Sequence, residues 1–331
     1  VQLQYVLDNF TSLFIGGLVF GSLYALVALG YTMVYGVLQL INFAHSEVFM
    51  FGTFATVWAL YLIGADAETT GLALVGSLAF AMVVAMITSG GVALLLERVA
   101  YRPLLKRGAP RLVALISAIG ASFVLAEIMG LRGPIMAALG LDDEFDRYVA
   151  RSRENVGMPV DRTPTVQFEI LGHGVTNRDI IIVASAVVMM VLVDQFVRRT
   201  RIGRGIRAVA QDPETSSLMG VNSTRVIQVT FLIGGLLAGA AATLYMLQVG
   251  ITRYNAGFLL GVKAFTAAVL GGIGNLRGAL FGGLVLGVAE NLGAGLFGSE
   301  WREVVAFAVL VLVLLFRPTG LLGESLGKAR A

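Results

Sequence analysis

From Asn9 to Ala44 the chain runs for 36 residues without an Asp, Glu, Lys, Arg or His. One helical crossing of a bilayer needs about 17–25 mainly apolar residues, so this run is longer than a single untilted span requires. The rest of the chain has the same character. Apolar residues fill 57% of 331 positions, charged residues only 14%, and mean hydropathy is +0.83. A soluble domain usually carries about 25% charged residues, and this chain has too few to cover the core it would bury. Hydrocarbon as the solvent removes that mismatch. The expected fold is an all-α, polytopic transmembrane helical bundle.

The remaining composition excludes several classes. The 41 glycines show no G-X-Y period and are accompanied by only 7 prolines, which rules out collagen and low-complexity sequence. Close helix–helix packing in a membrane accounts for them. With no cysteine there is no disulfide or thiolate chemistry. His45 and His173 stand far apart without a second ligand set, so no metal site is expected. A pI near 9.3 fits basic cytoplasmic loops better than affinity for nucleic acid. The first residues lack the positive region and small-residue cleavage site of a secretory signal, and their apolar run is expected to continue into the first span.

Apolar stretches predict spans at about 11–36, 46–63, 72–96, 112–131, 180–197, 226–249, 278–297 and 301–316. A ninth segment, 256–272, is short and contains Lys263, and glycines at both ends suit a broken or re-entrant helix. Segment 97–111 reads as a loop with five Lys/Arg against one Glu. Segment 198–225 is a second basic loop, with Arg198, Arg199, Arg201, Arg204, Arg207 and Arg225. Lys/Arg-rich short loops stay in the cytoplasm. The long polar segment 132–178, with six Arg and seven Asp/Glu, then falls outside, and the polar tail with Lys328 and Arg330 falls inside. All of this reads as one transmembrane domain over residues 1–331.

Three local patterns carry chemistry. Glycines four apart share a helix face and admit a neighbouring backbone; the pairs are Gly17/Gly21, Gly235/Gly239, Gly274/Gly278, Gly278/Gly282 and Gly283/Gly287. Asn42, His45 and Glu47 interrupt apolar sequence, so they either hydrate at the interface or enter the bundle and line a pathway or gate. Lys263 either snorkels to a surface or faces an internal polar cavity, with Gly272, Gly274 and Asn275 shaping the nearby chain. Within loop 198–225, Asp212-Pro213-Glu214 reads as a helix start, with Asp212 as cap, Pro213 in the first turn and an early acidic residue. Two short helices there, with Ile206, Val209 and Ala210 on one side, make a docking knob rather than a catalytic site. No Walker A, HExxH, GxSxG or paired-carboxylate pattern is present, so the chain is expected not to be an enzyme.

The strings YTMVYGVLQLINFAHSEVFMFG (31–52), ERVAYRPL (97–104), LVALISAIG (112–120), GRGIRAVAQDPETSSLMGVNSTRVI (203–227), VKAFTAAVLGGIGNLRGALFGG (262–283) and PTGLLG (318–323) together resemble a branched-chain amino-acid ABC permease of the LivH type. They span nearly the whole chain in the expected order. Ser46 stands where related chains often have Gly, and 132–178 matches only as a variable outer segment. The resemblance implies a second, LivM-like permease subunit, two cytoplasmic ATPase subunits that hold ATP and Mg, and an extracytoplasmic amino-acid-binding protein. No cofactor is implied for this chain, and its place is a bacterial or archaeal plasma membrane, the inner membrane in a Gram-negative cell. It implies a coupling region at 204–220, with Arg204, Arg207, Ala208, Asp212, Pro213, Glu214 and Gly220, and pathway-core residues within 42–47 and 262–278. Similar permeases serve urea and short-chain amides, so substrate is the less specific part. An ion-coupled secondary transporter would share broken helices and midplane polar residues, but would need no ATPase partner.

Overall fold

The computed structural model describes residues 2–149, 152–317 and 319–323; Pro318, Lys328 and Arg330 lie outside the described residues. The chain is helical, with α1 (Leu3–Asp8), α2 (Phe10–Leu38), α3 (His45–Leu62), α4 (Gly71–Leu96), α5 (Arg102–Lys106), α6 (Arg111–Gly130), α7 (Arg132–Ala138) and α8 (Asp142–Val149) in its first half. Strands β1 (Val156–Gly157), β2 (Val166–Ile170) and β3 (His173–Thr176) follow. Then come α9 (Asn177–Arg199), α10 (Arg201–Gln211), α11 (Pro213–Leu218), α12 (Ser223–Val249), β4 (Ile251–Thr252), α13 (Ala256–Gly271), α14 (Leu276–Phe297) and α15 (Arg302–Phe316).

Among the described residues six helices are long and apolar enough to cross a membrane: α2, α4, α6, α9, α12 and α14. Six of the expected eight or nine segments therefore reach full membrane length as helices. Helix α3 has only 18 residues and spends its first turn on His45 and Glu47. Helices α13 and α15 have 16 and 15 residues, about 24 Å or less at 1.5 Å per residue. Residues 10–38 of the first uncharged run form one continuous helix, unbroken at Gly30. Residues 97–106 are also helical rather than a loop. A π turn at Glu97–Tyr101 carries α4 into α5, and Arg102 donates two hydrogen bonds to the buried Glu97 carboxylate at 3.0 and 2.6 Å.

The chain divides into two compact units, with the division falling inside α12 and α13. The first comprises Val1–Gln39, Thr163–Thr230 and Val262–Ala331. Its core is the contact of α2 with α14. A Cβ at Gly17 would sit 2.6 Å from Val288 Cα, and one at Gly21 would sit 2.6 Å from the Gly283 carbonyl oxygen. Gly287 in turn meets the backbone of Gly17 and Gly21, so the two predicted glycine pairs face each other. Gly278 and Gly282 likewise let α14 close on α13 at Gly271 and Ala267. Gly274 is an exception, since it lies in the α13–α14 turn at φ +96° rather than on a helix face. In the same unit β2 pairs antiparallel with β3, turning at Leu171 and Gly172.

The second unit comprises Leu40–Arg162 and Phe231–Gly261. Helix α3 packs on α4, and Gly235 and Gly239 of α12 bring that helix onto Ser89 and Ala85 of α4. Phe49, Phe54, Tyr101 and Phe231 are its largest fully buried side chains. Hydroxyls stitch the helices where no water is available: Thr56 to Thr243 at 2.9 Å, Thr53 to Thr252 at 2.6 Å, and Ser89 to the Val48 carbonyl at 3.0 Å. Segment 132–178, read from sequence as a long polar outer segment, contributes α7, α8 and β1 here, with β1 paired to β4. Residues 166–176 form the hairpin of the first unit.

Candidate functional site

The polar cluster at the start of α3 is interior to the second unit. Asn42, His45 and Glu47 are each 1–2% exposed, so hydration at an interface is not their setting. The turn into α3 closes with the His45 N–H on the Asn42 carbonyl at 3.0 Å. The Asn42 side-chain oxygen accepts from the Tyr101 hydroxyl at 2.9 Å, and the Tyr101 ring packs on Phe231. Glu47 Oε1 accepts from Ser122 of α6 at 3.2 Å and from Ser46 at 3.4 Å. Its other oxygen lies at Gly257, where a Cβ would come within 3.0 Å of it. The carboxylate thus sits at the first turn of α13, the positive end of that helix dipole. Ser122, Tyr101 and Gly257 were missed from sequence, because each lies far along the chain from 42–47.

Lys263 belongs to the first unit, where it neither snorkels nor stands alone. Its Nζ lies 2.8 Å from Glu290 Oε1 and 2.7 Å from Glu303 Oε1. Arg302 Nε approaches Glu290 at 3.6 Å, and its other arm donates to Asn291 at 3.4 Å. The two cations also lie over the rings of Tyr24 and Phe20, at 5.7 and 5.6 Å. Two cations and two carboxylates balance, which is how charge is tolerated among apolar helices. The sequence held a usable signal for this. Glu290 is a lone acid inside the apolar run 278–297, and Lys263 a lone base in the segment before it.

Gly272, Gly274 and Asn275 form the turn between α13 and α14. Asn275 caps α14 by accepting from the backbone of Arg277 and Gly278 at 3.1 and 3.2 Å, and it donates to the Leu322 carbonyl at 2.8 Å. Leu321 and Leu322 N–H groups bond to the Leu270 and Gly271 carbonyls at 2.7 and 3.1 Å. The 319–323 segment is thereby laid over the end of α13, and the backbone of Gly323 approaches Gly272 too closely for a side chain there.

The expected coupling region also lies in the first unit. Thr200 caps α10, accepting from the Gly203 N–H at 2.9 Å, and Ile206 and Val209 are buried while Arg201, Arg204 and Arg207 stay exposed. Asp212 caps α11, accepting from the N–H groups of Glu214 and Thr215 at 3.0 Å each. Hydrogen bonds from the Thr215 side chain and backbone hold the Asp212 carboxyl below the usual carboxylate range. Helix α11 ends at Leu218 and Met219, 87% and 81% exposed, and Gly220 turns the chain at φ +82°. The structure therefore gathers the seven coupling candidates on two adjacent capped helices, the Asp212 cap between them and the Gly220 turn that follows. Of the pathway candidates, Asn42, His45 and Glu47 belong to the second unit and Lys263, Gly272, Gly274 and Asn275 to the first.

Two further features complete the inventory. Arg153, Glu154, Asn155, Arg253, Tyr254 and Asn255 line a polar recess of about 540 Å³ in the second unit. Among the described residues no group of three or more His, Cys, Asp or Glu is placed to hold a metal ion.

Residues 13–314 match the family model for the branched-chain amino acid transport system permease component. The chain is 42% identical to the high-affinity branched-chain amino acid transport system permease protein BraD of Pseudomonas aeruginosa, over 94% of each chain. It is 41% identical to the LivH permease protein of Escherichia coli K12, over 93% of this chain and 94% of that one. A probable LivH of Methanocaldococcus jannaschii is 24% identical over 93% and 91%. A polytopic helical bundle, a capped helix pair with an apolar tip and an end-to-end match lead to one conclusion: the chain belongs to the family of permease components of branched-chain amino acid transport systems.

Proposed function

We propose that this chain carries the membrane step of ATP-driven import of branched-chain amino acids (leucine, isoleucine and valine) as the LivH-like subunit of a larger complex. The observation that carries the reading is the match to BraD and LivH along nearly the full length of both chains. In this reading the chain acts as one permease domain in a bacterial or archaeal plasma membrane, and the shorter α3, α13 and α15 bring its membrane segments to eight or nine. It works beside a LivM-like permease and two ATPase subunits that bind ATP and Mg, and takes its cargo from an extracytoplasmic binding protein.

Arg204, Arg207, Ala208, Asp212, Pro213, Glu214 and Gly220 form the coupling surface toward an ATPase. The exposed Leu218 and Met219 supply an apolar anchor for it, supporting the assignment. A contact that differs between inward and outward states is what lets ATP binding shift their balance. Asn42, His45 and Glu47 are assigned to the pathway or gate, reached when α3 and α13 separate. Lys263 acts through its ion pairs, and Gly272, Gly274 and Asn275 through the turn they shape. The recess with Arg153 and Arg253 is assigned to reception of the binding protein within 132–178 and its neighbours.

The deciding experiment is uptake by the complete reconstituted complex, comparing leucine, isoleucine and valine with urea and acetamide. ATP-dependent uptake of a branched-chain amino acid is expected. Uptake of urea or acetamide alone would replace the substrate assignment. Uptake driven by an ion gradient without ATPase subunits would replace the mechanism.

A further inference from the structure

The hairpin β2–β3 is fixed to the end of a membrane-length helix, and its apolar face is only partly covered by α2 and α9. Thr176 is both the last residue of β3 and the N-cap of α9. Its N–H and hydroxyl bond to Asp179 at 2.9 and 2.6 Å, and the Asp179 N–H returns to the Thr176 hydroxyl. This capping box sets the angle at which the hairpin leaves the helix. Because α9 is long and apolar enough to span a bilayer, the hairpin is held at the level of that helix's N-terminal end.

The hairpin is two-faced. Phe168 pairs with Val175, and Ile170 lies two residues further on the same face, opposite the half-buried His173. Val175 is buried, whereas Phe168 and Ile170 remain 50% and 43% exposed. Between this face and the helices lies a recess of about 340 Å³, walled by Leu18 and Val19 of α2, Ile170 and Val175 of the hairpin, and Ile180 and Val183 of α9. Asp179 is the only charged residue in its lining, and its carboxylate is already engaged by Thr176. Nothing there calls for water, which needs two or more polar partners to occupy a cavity. The exposed apolar surface then continues down α9 through Ile180, Val187 and Val191, spaced seven and four apart and so on one face.

We infer that this recess is a binding site for a lipid acyl chain, with the hairpin as its cover, filled from the leaflet that meets the N-terminal end of α9. The exposed apolar surface of a membrane-length helix runs into an apolar recess, and the occupant that suits both is a lipid tail. The hydrophobic effect does not drive this transfer, since the tail is already in an apolar solvent. Shape does, because walls without partner atoms lose their dispersion contacts and an ordered chain restores them.

The test uses the full chain in vesicles of phosphatidylethanolamine and phosphatidylglycerol carrying a diazirine on the acyl chain. After photolysis, labelling is read by peptide mass spectrometry at the recess walls Leu18 and Val183 and at the exposed positions Ile181 and Leu312. Labelling at all four is expected, with Ala184→Phe, which fills the recess, abolishing it at Leu18 and Val183 while Ile181 and Leu312 keep theirs. Labelling of Leu18 and Val183 that survives Ala184→Phe overturns the proposal. A photoreactive benzoylphenylalanine replacing Phe168 gives an independent reading that leaves the recess intact. Cross-links to phospholipid support the site, and cross-links to a protein subunit in place of lipid show that the hairpin covers a protein contact instead.

Discussion

Lys263 Nζ lies 2.8 Å from Glu290 Oε1, joining the middle of α13 to α14 inside the first unit. Such a pair is costly to desolvate, so its net worth is small, but removing Lys263 leaves two carboxylates, Glu290 and Glu303, to the single cation Arg302 among apolar helices. Lys263→Met is expected to destabilise the protein by about 3–5 kcal/mol. Lys263→Met with Glu290→Leu should recover most of that loss, because Arg302 and Glu303 then balance each other. Thermal unfolding in mild detergent measures all three proteins. A double variant as unstable as Lys263→Met alone would show that the pairing is not what keeps Lys263 in place.

The α2–α14 contact depends on glycine for space rather than for backbone freedom. A Cβ at Gly283 would lie 2.6–2.7 Å from the Cβ, Cα and N of Ala25, so even alanine forces the helices apart. Gly283→Leu is expected to cost about 1–3 kcal/mol or more, as overpacking does, and to lower the yield of folded protein. Gly76→Ala on α4, where a Cβ meets nothing within 4 Å, should leave yield and melting unchanged. Equal behaviour of the two variants in a size-exclusion and melting assay would refute the packing assignment.

What the sequence made legible was local. The uncharged run from Asn9 to Ala44 announced α2, because length and apolarity alone decide a span. Asp212 was readable as a cap because the Asp-Pro-Glu string holds its own hydrogen-bond partners within three residues. Residues 97–106 misled for the same reason. Their charges look like a solvated loop until the Glu97–Arg102 pair is seen, which keeps the helix going by neutralising both groups. The Glu47–Ser122 and Lys263–Glu290 contacts join positions 75 and 27 residues apart, and no periodicity encodes that. The hairpin at 166–176 was hidden by its amphipathic pattern, which is short and disturbed by a bulge between Val166 and Phe168.

Asp212 separates cap chemistry from charge. Its carboxyl titrates below the ordinary range, so the cap's contribution is complete above the unfolded carboxylate pKa of about 3.9 and is lost as pH falls through the lower folded value. Coupling should therefore be flat across neutral pH. Asp212→Asn keeps an oxygen acceptor for the Glu214 and Thr215 N–H groups, and is expected to retain most transport-coupled ATP hydrolysis. Asp212→Ala should lose much of it at unchanged membrane insertion. Should the alanine variant couple like the unaltered protein, α11 does not transmit the ATPase movement.

The topology is open to a chemical test because the chain has no cysteine. Ser152 is a poor probe site, since its hydroxyl accepts from the Gly133 N–H at 2.8 Å and donates to the Val149 carbonyl at 3.1 Å. Glu154 and Glu169 are exposed, in the second and first units respectively, and both fall within the segment assigned to the outside. Met219, at the tip of α11, is 81% exposed and assigned to the cytoplasm. Glu154→Cys and Glu169→Cys should react with an impermeant maleimide in whole cells or spheroplasts, while Met219→Cys should react only after the membrane is opened. The expected orientation follows from the basic residues around Arg204 and Arg207, since Lys/Arg-rich loops are retained on the cytoplasmic side. Labelling of Met219→Cys in intact spheroplasts, with the two glutamate positions protected, would invert the assignment and move the coupling surface away from any cytoplasmic ATPase.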